Sequence, residues 1–328
     1  MTQALYPWLE STLERLTGLA RDGRLPHALL LAGPEGVGKG RLARRLAQAV
    51  LCHRPGPAGQ PCEQCASCRP FLAGAHPDFT SLQPEEPGKP IKVDAVRDFC
   101  AALQLTSQFG HGKVGILEPA DAMNLAASNS LLKTLEEPPA GTLIILVTAH
   151  PSRLPITVRS RCQRWTVGVP GREEAAAWLA RQPQVAGEDP GLLLDLVEGR
   201  PLAALGLAAP ERLASRTRWL ESLLHLLRAG GNPLALAAVT EKAALPELVH
   251  WSTLLVADLL RLQGGAGELV NRDLADLLPP IARRVDARGL FSLYDHLIEL
   301  GGLVNHPLNR DLLLEDLLLR FDRLGGRS

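Results

Sequence analysis

Neither sign of charge is in excess in this 328-residue chain, in which Lys+Arg and Asp+Glu both number 35. A protein that grips DNA unaided usually carries a basic surplus to displace the counterions of the phosphate backbone. Its absence argues against a solitary DNA-binding protein; any nucleic-acid role calls for partners that bring the charge. No secretory leader is expected either, because Met1-Thr2-Gln3-Ala4-Leu5-Tyr6-Pro7-Trp8 shows neither a basic n-region nor an apolar h-region. Long β-like apolar runs are absent too: the longest, Leu143 to Val147, is far too short to cross a bilayer. These absences predict a cytoplasmic chain with no membrane role. What is plentiful is core material, at 46% apolar residues, and the length suggests two or three domains.

A second set of absences is local. The stretch Ala28 to Ala43 is an apolar segment, Ala28 to Ala32, then Gly33-Pro34-Glu35-Gly36-Val37-Gly38-Lys39-Gly40, then a helical pattern. Strand, glycine-rich loop and helix in that order make a phosphate-binding P-loop. Gly33, Gly36 and Gly38 let backbone amides turn inward around phosphate oxygens, and the helix N-terminus adds partial positive charge. Lys39 stands where a lysine reaches the outer phosphates. The next position should carry a Ser or Thr hydroxyl for Mg²⁺, and Gly40 has none. The strand Lys113 to Leu117 ends in Glu118-Pro119-Ala120-Asp121. P-loop ATPases place an aspartate there for the Mg²⁺ shell and then a glutamate to orient the attacking water. Here Glu118 fills the first place and Pro119 the second, and a proline cannot polarise water. Asp121 lies two residues on, with nothing in the spacing to return it to that water. ATP with Mg²⁺ remains a candidate ligand, but hydrolysis by this chain alone is not expected. Thr148, at the end of the strand that begins at Leu143, either touches a phosphate or belongs to the sheet ladder.

Only 6 cysteines are present, yet Cys52, Cys62, Cys65 and Cys68 cluster in one loop rich in Pro and Gly. Four thiolates with two-residue spacers suit a closed, structural Zn²⁺ site with no position left for catalytic water. An iron–sulfur cluster uses similar spacing, although Cys68 lacks the following Cys-Pro of bacterial ferredoxins. Unliganded thiols are the third reading. Cys100 and Cys162 stand apart and read as small buried hydrophobes. His76 and Asp78 offer ligand atoms, but a histidine beside Pro77 reads more simply as structural.

The spacing predicts helices over Leu9–Ala20, Arg41–Cys52, Phe71–Ala75, Asp94–Leu105 with Asp94 as cap, and Asn124–Glu137. Arg159, Arg161 and Arg164 form either a solvated face or a group aimed at a partner's phosphate. Gly168-Val169-Pro170-Gly171 reads as a hinge. Three short helices follow, ending near Ala209, with Asp189 capping the second. Leucine-rich helices then cover Leu213–Leu227, Val249–Leu262, Leu290–Leu300 and Leu312–Leu324. His225, His250 and His296 read as ordinary helix residues. Trp219 and Trp251 suit either a core or an interface.

Taken in order, the P-loop, the four-cysteine insert directly after its helix, LLKTLEEPP at 131–139 and Ser160-Arg161-Cys162 resemble the AAA+ subunits of bacterial clamp loaders. Tyr6-Pro7-Trp8-Leu9, Gly74-Ala75-His76-Pro77-Asp78, Val93-Asp94-Ala95-Val96-Arg97 and Asn309-Arg310-Asp311-Leu312-Leu313 extend the likeness over nearly the whole chain. The resemblance implies an α/β P-loop (AAA+) domain over 1–167 with a zinc-binding insert at about 52–68. It implies a small helical lid at 168–210 and an all-α collar at 211–328. Hydrolysing members, gamma/tau, carry Thr after the P-loop lysine, Asp-Glu after the strand, and a sensor arginine in the lid. Those places hold Gly40, Glu118-Pro119 and Leu202 here, with Arg200 two residues early. The arginine-loop motif, in contrast, is intact. By resemblance, Arg161 would be a finger entering a neighbouring gamma/tau ATP site, with Ser160 shaping its turn and Cys162 packing beneath. Implied partners are gamma/tau and delta subunits, with the sliding clamp and primer-template DNA met through the assembly. A motor subunit or autonomous ATPase, and a zinc-dependent DNA-binding regulator, are the rival expectations.

Overall fold

The computed structural model describes residues 4–86, 88–304 and 308–325. Its contacts divide the chain into two compact units. The first runs through Trp178 and includes Arg200–Ala203; the second is Leu179–Gly199 with Ala204 onward.

The first unit is built on five strands: β1 (Ala28–Ala32), β2 (Phe79–Leu82), β3 (Lys113–Leu117), β4 (Thr142–Thr148) and β5 (Gln163–Thr166). They pair in parallel in the order β2-β3-β4-β1-β5. Helices cover both faces, so β1, β3 and β4 are buried along their whole length, which is why their sequences read as unbroken apolar runs. Alternate residues still go to opposite faces. Leu29 and Leu31 join one core layer with Leu42 and Leu46 of α2 (Lys39–Leu51) and Leu13 and Leu16 of α1 (Glu10–Arg21). Leu30 joins the other, with Phe99 and Leu103 of α4 (Val93–Gln104) and Leu131 and Leu135 of α5 (Leu125–Glu136). Each fully buried leucine contributes about 1.5–3 kcal/mol, so these two layers hold the sheet rigid beneath the loops at its ends.

Two local expectations are corrected. Helix α3 covers Cys68–Leu72, so it opens on the fourth cysteine and is finished before Ala75. The cap of α4 is Lys92 in extended backbone, while Asp94 lies in the first turn and pairs with Arg97 at 2.9 Å. Asn124 does cap α5, accepting the Ala127 N–H. The short α6 (Ile156–Arg159) leads down to β5, and α7 (Arg172–Leu179) carries Trp178.

The second unit is helical: α8 (Pro190–Asp195), most of α9 (Pro201–Leu207), α10 (Pro210–Ala229), α11 (Pro233–Val239), α12 (Leu245–Gln263), α13 (Leu278–Ala282), α14 (Ala287–Leu303) and α15 (Arg310–Gly325). Asp189 caps α8 through the Gly191 N–H. Leu223, Leu255, Leu259, Leu297, Leu317 and Phe321 fill its interior. Trp219 and Trp251 are core residues, and the indole of Trp219 donates to Ser252 Oγ at 3.0 Å. A buried polar network joins Arg216 to Asn271 and Asp273, and Asn271 to Asp258. Lys242–Gln263 is long and apolar enough to cross a membrane by length and composition. Half of it is buried, and the fully buried Asp258 is tied to that network, as in the central helix of a bundle.

Candidate nucleotide cradle, thiolate cluster and arginine loop

The P-loop leaves the carboxyl end of β1, a strand flanked by β4 and β5. Gly38 is the N-cap of α2 at φ 91° and is overlaid by the ring of Tyr6, so a side chain there would be both strained and blocked. The indole of Trp8 donates to Val37 O at 2.9 Å, and the Leu202 amide donates to Gly36 O at 3.0 Å. Tyr6 and Trp8 stack at 5.0 Å, and Trp178 meets both edge-on. Leu202 packs against this apolar cluster.

Lys39 is buried and its ammonium donates to Pro34 O at 2.7 Å. Burial pushes its pKa down, partly offset by Glu118, Glu35 and Asp121. Glu118 is pushed up by burial against the opposing pull of Lys39. Its carboxylate lies over Gly40: a Cβ at position 40 would stand 2.5 Å from Oε1 and 2.6 Å from Cδ. The acid thus fills the space that a metal-binding hydroxyl would need. Asp121 is the third acid that acts on Lys39. The 3₁₀ turn Ala120–Ala122 brings it back to the site, where its Oδ1 accepts from Thr148 Oγ1 at 2.5 Å. Thr148 also accepts the His150 N–H, so its hydroxyl is engaged as both donor and acceptor.

The four insert cysteines come together at the foot of α2. Their sulfurs all lie within 4.8 Å of one another, with Cys52 and Cys65 at 4.0 Å. Tetrahedral thiolates around Zn²⁺ stand about 3.8 Å apart, given Zn–S bonds of about 2.3 Å. The group therefore fits a metal ion with little movement. Burial pushes the Cys65 thiol up, but N–H groups of Cys68 and His53 and the neighbouring thiols bring it down to about 6. Cys52 and Cys68 are pushed up, chiefly by burial, so thiolate charge is unevenly shared until a cation balances it. Backbone N–H groups of Cys62 and Cys68 point at Cys52 and Cys65 sulfur, both at 3.3 Å.

His76 and Asp78 are structural. His76 accepts the Asp78 N–H on Nδ1 and meets Ser67 Oγ with Nε2 at 2.9 Å, while Ser67 donates to Leu51 O. Asp78 accepts from Ser107 Oγ and the N–H groups of Gln108 and Phe109, and pairs with buried Lys113 at 3.3 Å. Together they fasten the insert to the sheet edge. Cys162 is buried and pushed up to about 12 by burial; Cys100 is half-buried against the same core layer.

The arginine loop lies at the opposite end of the sheet. Arg161 precedes β5, whose Gln163 is level with Leu29 near the start of β1, whereas the P-loop follows Ala32 at its other end. At about 3.3 Å per strand residue, at least about 10 Å of sheet separates the loop from its own cradle. Arg161 is half-exposed, pairs with Glu136 at 2.5 Å and donates to Thr157 O at 2.8 Å. Glu136 belongs to the LLKTLEEPP segment, so the two motifs are physically joined. Ser160 is exposed and its hydroxyl donates to Thr157 O, and Cys162 is buried in the core layer that includes Val158. Glu136 was not marked by spacing; it meets Arg161 because α5 packs against α6.

Residues 8–169 match the family described as DNA polymerase III, delta subunit, and residues 210–323 match its C-terminal family. The chain is 38% identical to DNA polymerase III subunit delta-prime of Pseudomonas aeruginosa over 98% of both chains. It is 33% identical to the subunit of the same name from Escherichia coli, over 97% of this chain and 95% of that one. It is also 35% identical to DNA polymerase III subunit tau of Bacillus subtilis, over 43% of this chain and 24% of that one.

Proposed function

Since this chain belongs to the DNA polymerase III delta-prime subunit family, we propose that it is the non-hydrolysing subunit of a clamp loader and lends Arg161 to a neighbour's ATP site. The observation that carries the reading is the placement of Arg161 at the sheet end remote from its own P-loop. From there it cannot serve its own phosphates. A fixed guanidinium beside a partner's γ-phosphate stabilises the charge that develops as the bond breaks, worth about 10³–10⁵ in rate in other P-loop systems. At home the machinery for that step is missing. Gly40 offers no metal ligand, Glu118 fills the space, and Pro119 has no carboxylate for water.

The reading takes gamma/tau and delta subunits as partners, and the sliding clamp and primer-template DNA as contacts made through the assembly, in the cytoplasm. It divides the chain into an AAA+ domain at 1–167, a lid at 168–210 and a collar at 211–328. The exposed Phe291, Ile298 and Leu312 of the helical unit suit packing against other subunits. The cysteines would hold a structural Zn²⁺, which when bound braces the insert and has no open position for chemistry. Any nucleotide in the cradle stays unhydrolysed. The test is clamp- and DNA-stimulated ATP hydrolysis by the reconstituted loader with Arg161→Ala. Turnover should fall while assembly is retained; unchanged turnover removes the assignment.

A further inference from the structure

Beside the P-loop, a cavity of about 550 Å³ opens between the outer face of α2 and the β2 edge of the sheet. Arg41, Arg44, Arg45 and Gln48 line one side, at the spacing that puts four residues on one helix face. Phe71 of α3 and Phe79 of β2 stand opposite. Arg41 is engaged at the edge of the cavity, its guanidinium 3.9 Å from the Tyr6 ring centroid and donating to Ala4 O at 3.1 Å, and Arg45 is held by Glu63 at 2.6 Å and by Gln48 Oε1 at 3.0 Å. The Arg44 guanidinium lies 5.6 and 5.5 Å from the centroids of Phe71 and Phe79, and makes no hydrogen bond or ion pair among the described residues. Gln48 is only 3% exposed, and its Nε2 has no partner. Among the residues lining the cavity, Glu118 is the one acid, at the P-loop end.

The Arg44 guanidinium, with no hydrogen-bond acceptor among the described residues, and the unpartnered buried Gln48 amide call for an anion that accepts several hydrogen bonds. The hollow is far larger than a phosphate and has the size of a small-molecule site. Its far wall is aromatic, and a planar base stacks well on either a phenyl ring or a guanidinium plane. We propose that this cavity takes one nucleotide unit, its phosphate on Arg44 and the Gln48 amide and its base against the two phenylalanines that Arg44 uncovers when it turns to the phosphate. A single strand of DNA and a free nucleotide share that chemistry.

The test is a low-salt anisotropy titration of the full chain with a short labelled oligothymidylate, with thymidine monophosphate and inorganic phosphate as competitors. Arg44→Glu and Gln48→Met should each weaken binding, the first by about tenfold or more given the worth of a charge-assisted hydrogen bond. Arg288→Ala, an exposed residue of α14 remote in sequence from the cavity lining, should leave it unchanged. Competition by thymidine monophosphate identifies a free-nucleotide site, and its failure to compete identifies a strand site; both support the proposal. No binding by wild type, competition by inorganic phosphate as strong as that by the nucleotide, or loss in Arg288→Ala with both cavity variants unaffected overturns it. The isolated chain is used throughout, so the outcome is independent of the role of Arg161.

Discussion

Replacing Gly40 by alanine puts a methyl group 2.5 Å from Glu118 Oε1 and 2.6 Å from Cδ, which no packing tolerates unless the acid swings away. The far end of a glutamate can move, at about 0.5–1.5 kcal/mol for a side chain forced from its rotamer. The same substitution in the first turn of α2 removes the helical penalty of glycine, about 1 kcal/mol. The two nearly cancel, so Gly40→Ala alone should change stability by less than about 0.5 kcal/mol. With Glu118→Ala already in place nothing has to move, and Gly40→Ala should then stabilise by about 1 kcal/mol. Melting of wild type, both single variants and the double variant, followed by circular dichroism, closes the cycle. The coupling should appear as about 2–4 °C of non-additivity in the transition of the first unit. If Gly40→Ala has the same effect in both backgrounds to within about 0.3 kcal/mol, the carboxylate does not occupy that space and the explanation for the missing hydroxyl fails.

For the insert, Cys65→Ser should release zinc from protein purified in its presence, read by a chromogenic chelator, and raise protease sensitivity near Cys62. Absence of zinc from freshly purified wild type would end the metal assignment. Asp78 gives a pH prediction. Burial pushes its carboxyl up, but Gln108, Phe109, Ser107 and Lys113 together hold it below the usual range. The folded state thus binds fewer protons than the unfolded one, and this stabilisation is complete above the unfolded value near about pH 4. It is lost as pH falls through the folded value. Asp78→Asn should cost about 3–5 kcal/mol at neutral pH by leaving buried Lys113 unpaired. The variant should also show a flatter acid limb in melting temperature against pH; an unchanged acid limb would refute the role.

Much of the fold was legible because its signals are local. The run Ala28 to Ala32, the glycines after it and the four cysteines each declare themselves by spacing, and the structure brings the sulfurs together as expected. The helical period of the leucine-rich half likewise foretold α10, α12, α14 and α15. What escaped depends on contacts far apart in sequence. Asp121 reaches the cradle only through a 3₁₀ turn and its bond to Thr148. Asp94 was misjudged as a cap because its type suits the role, whereas the extended backbone falls at Lys92. The cavity beside Arg44 has no signal in the spacing, because its lining comes from α2, α3 and β2 together. That Glu118 compensates for Gly40 is a volume relation, and no spacing rule carries volume.

The position of Arg161 came from register rather than composition, and the central claim rests there. Its resting pair with Glu136 is partly exposed. Such pairs are worth about 0–1 kcal/mol, small beside the about 4–7 kcal/mol implied by 10³–10⁵ in rate. The arginine is therefore free to leave Glu136 for a phosphate. ATP hydrolysis by the purified chain, and by the loader reconstituted with wild type or Arg161→Ala, tests the claim most directly. The account predicts background turnover for the chain alone, stimulated turnover in the wild-type assembly, and a marked loss with the variant. Brisk turnover by the solitary chain, or an assembly indifferent to Arg161→Ala, would contradict it.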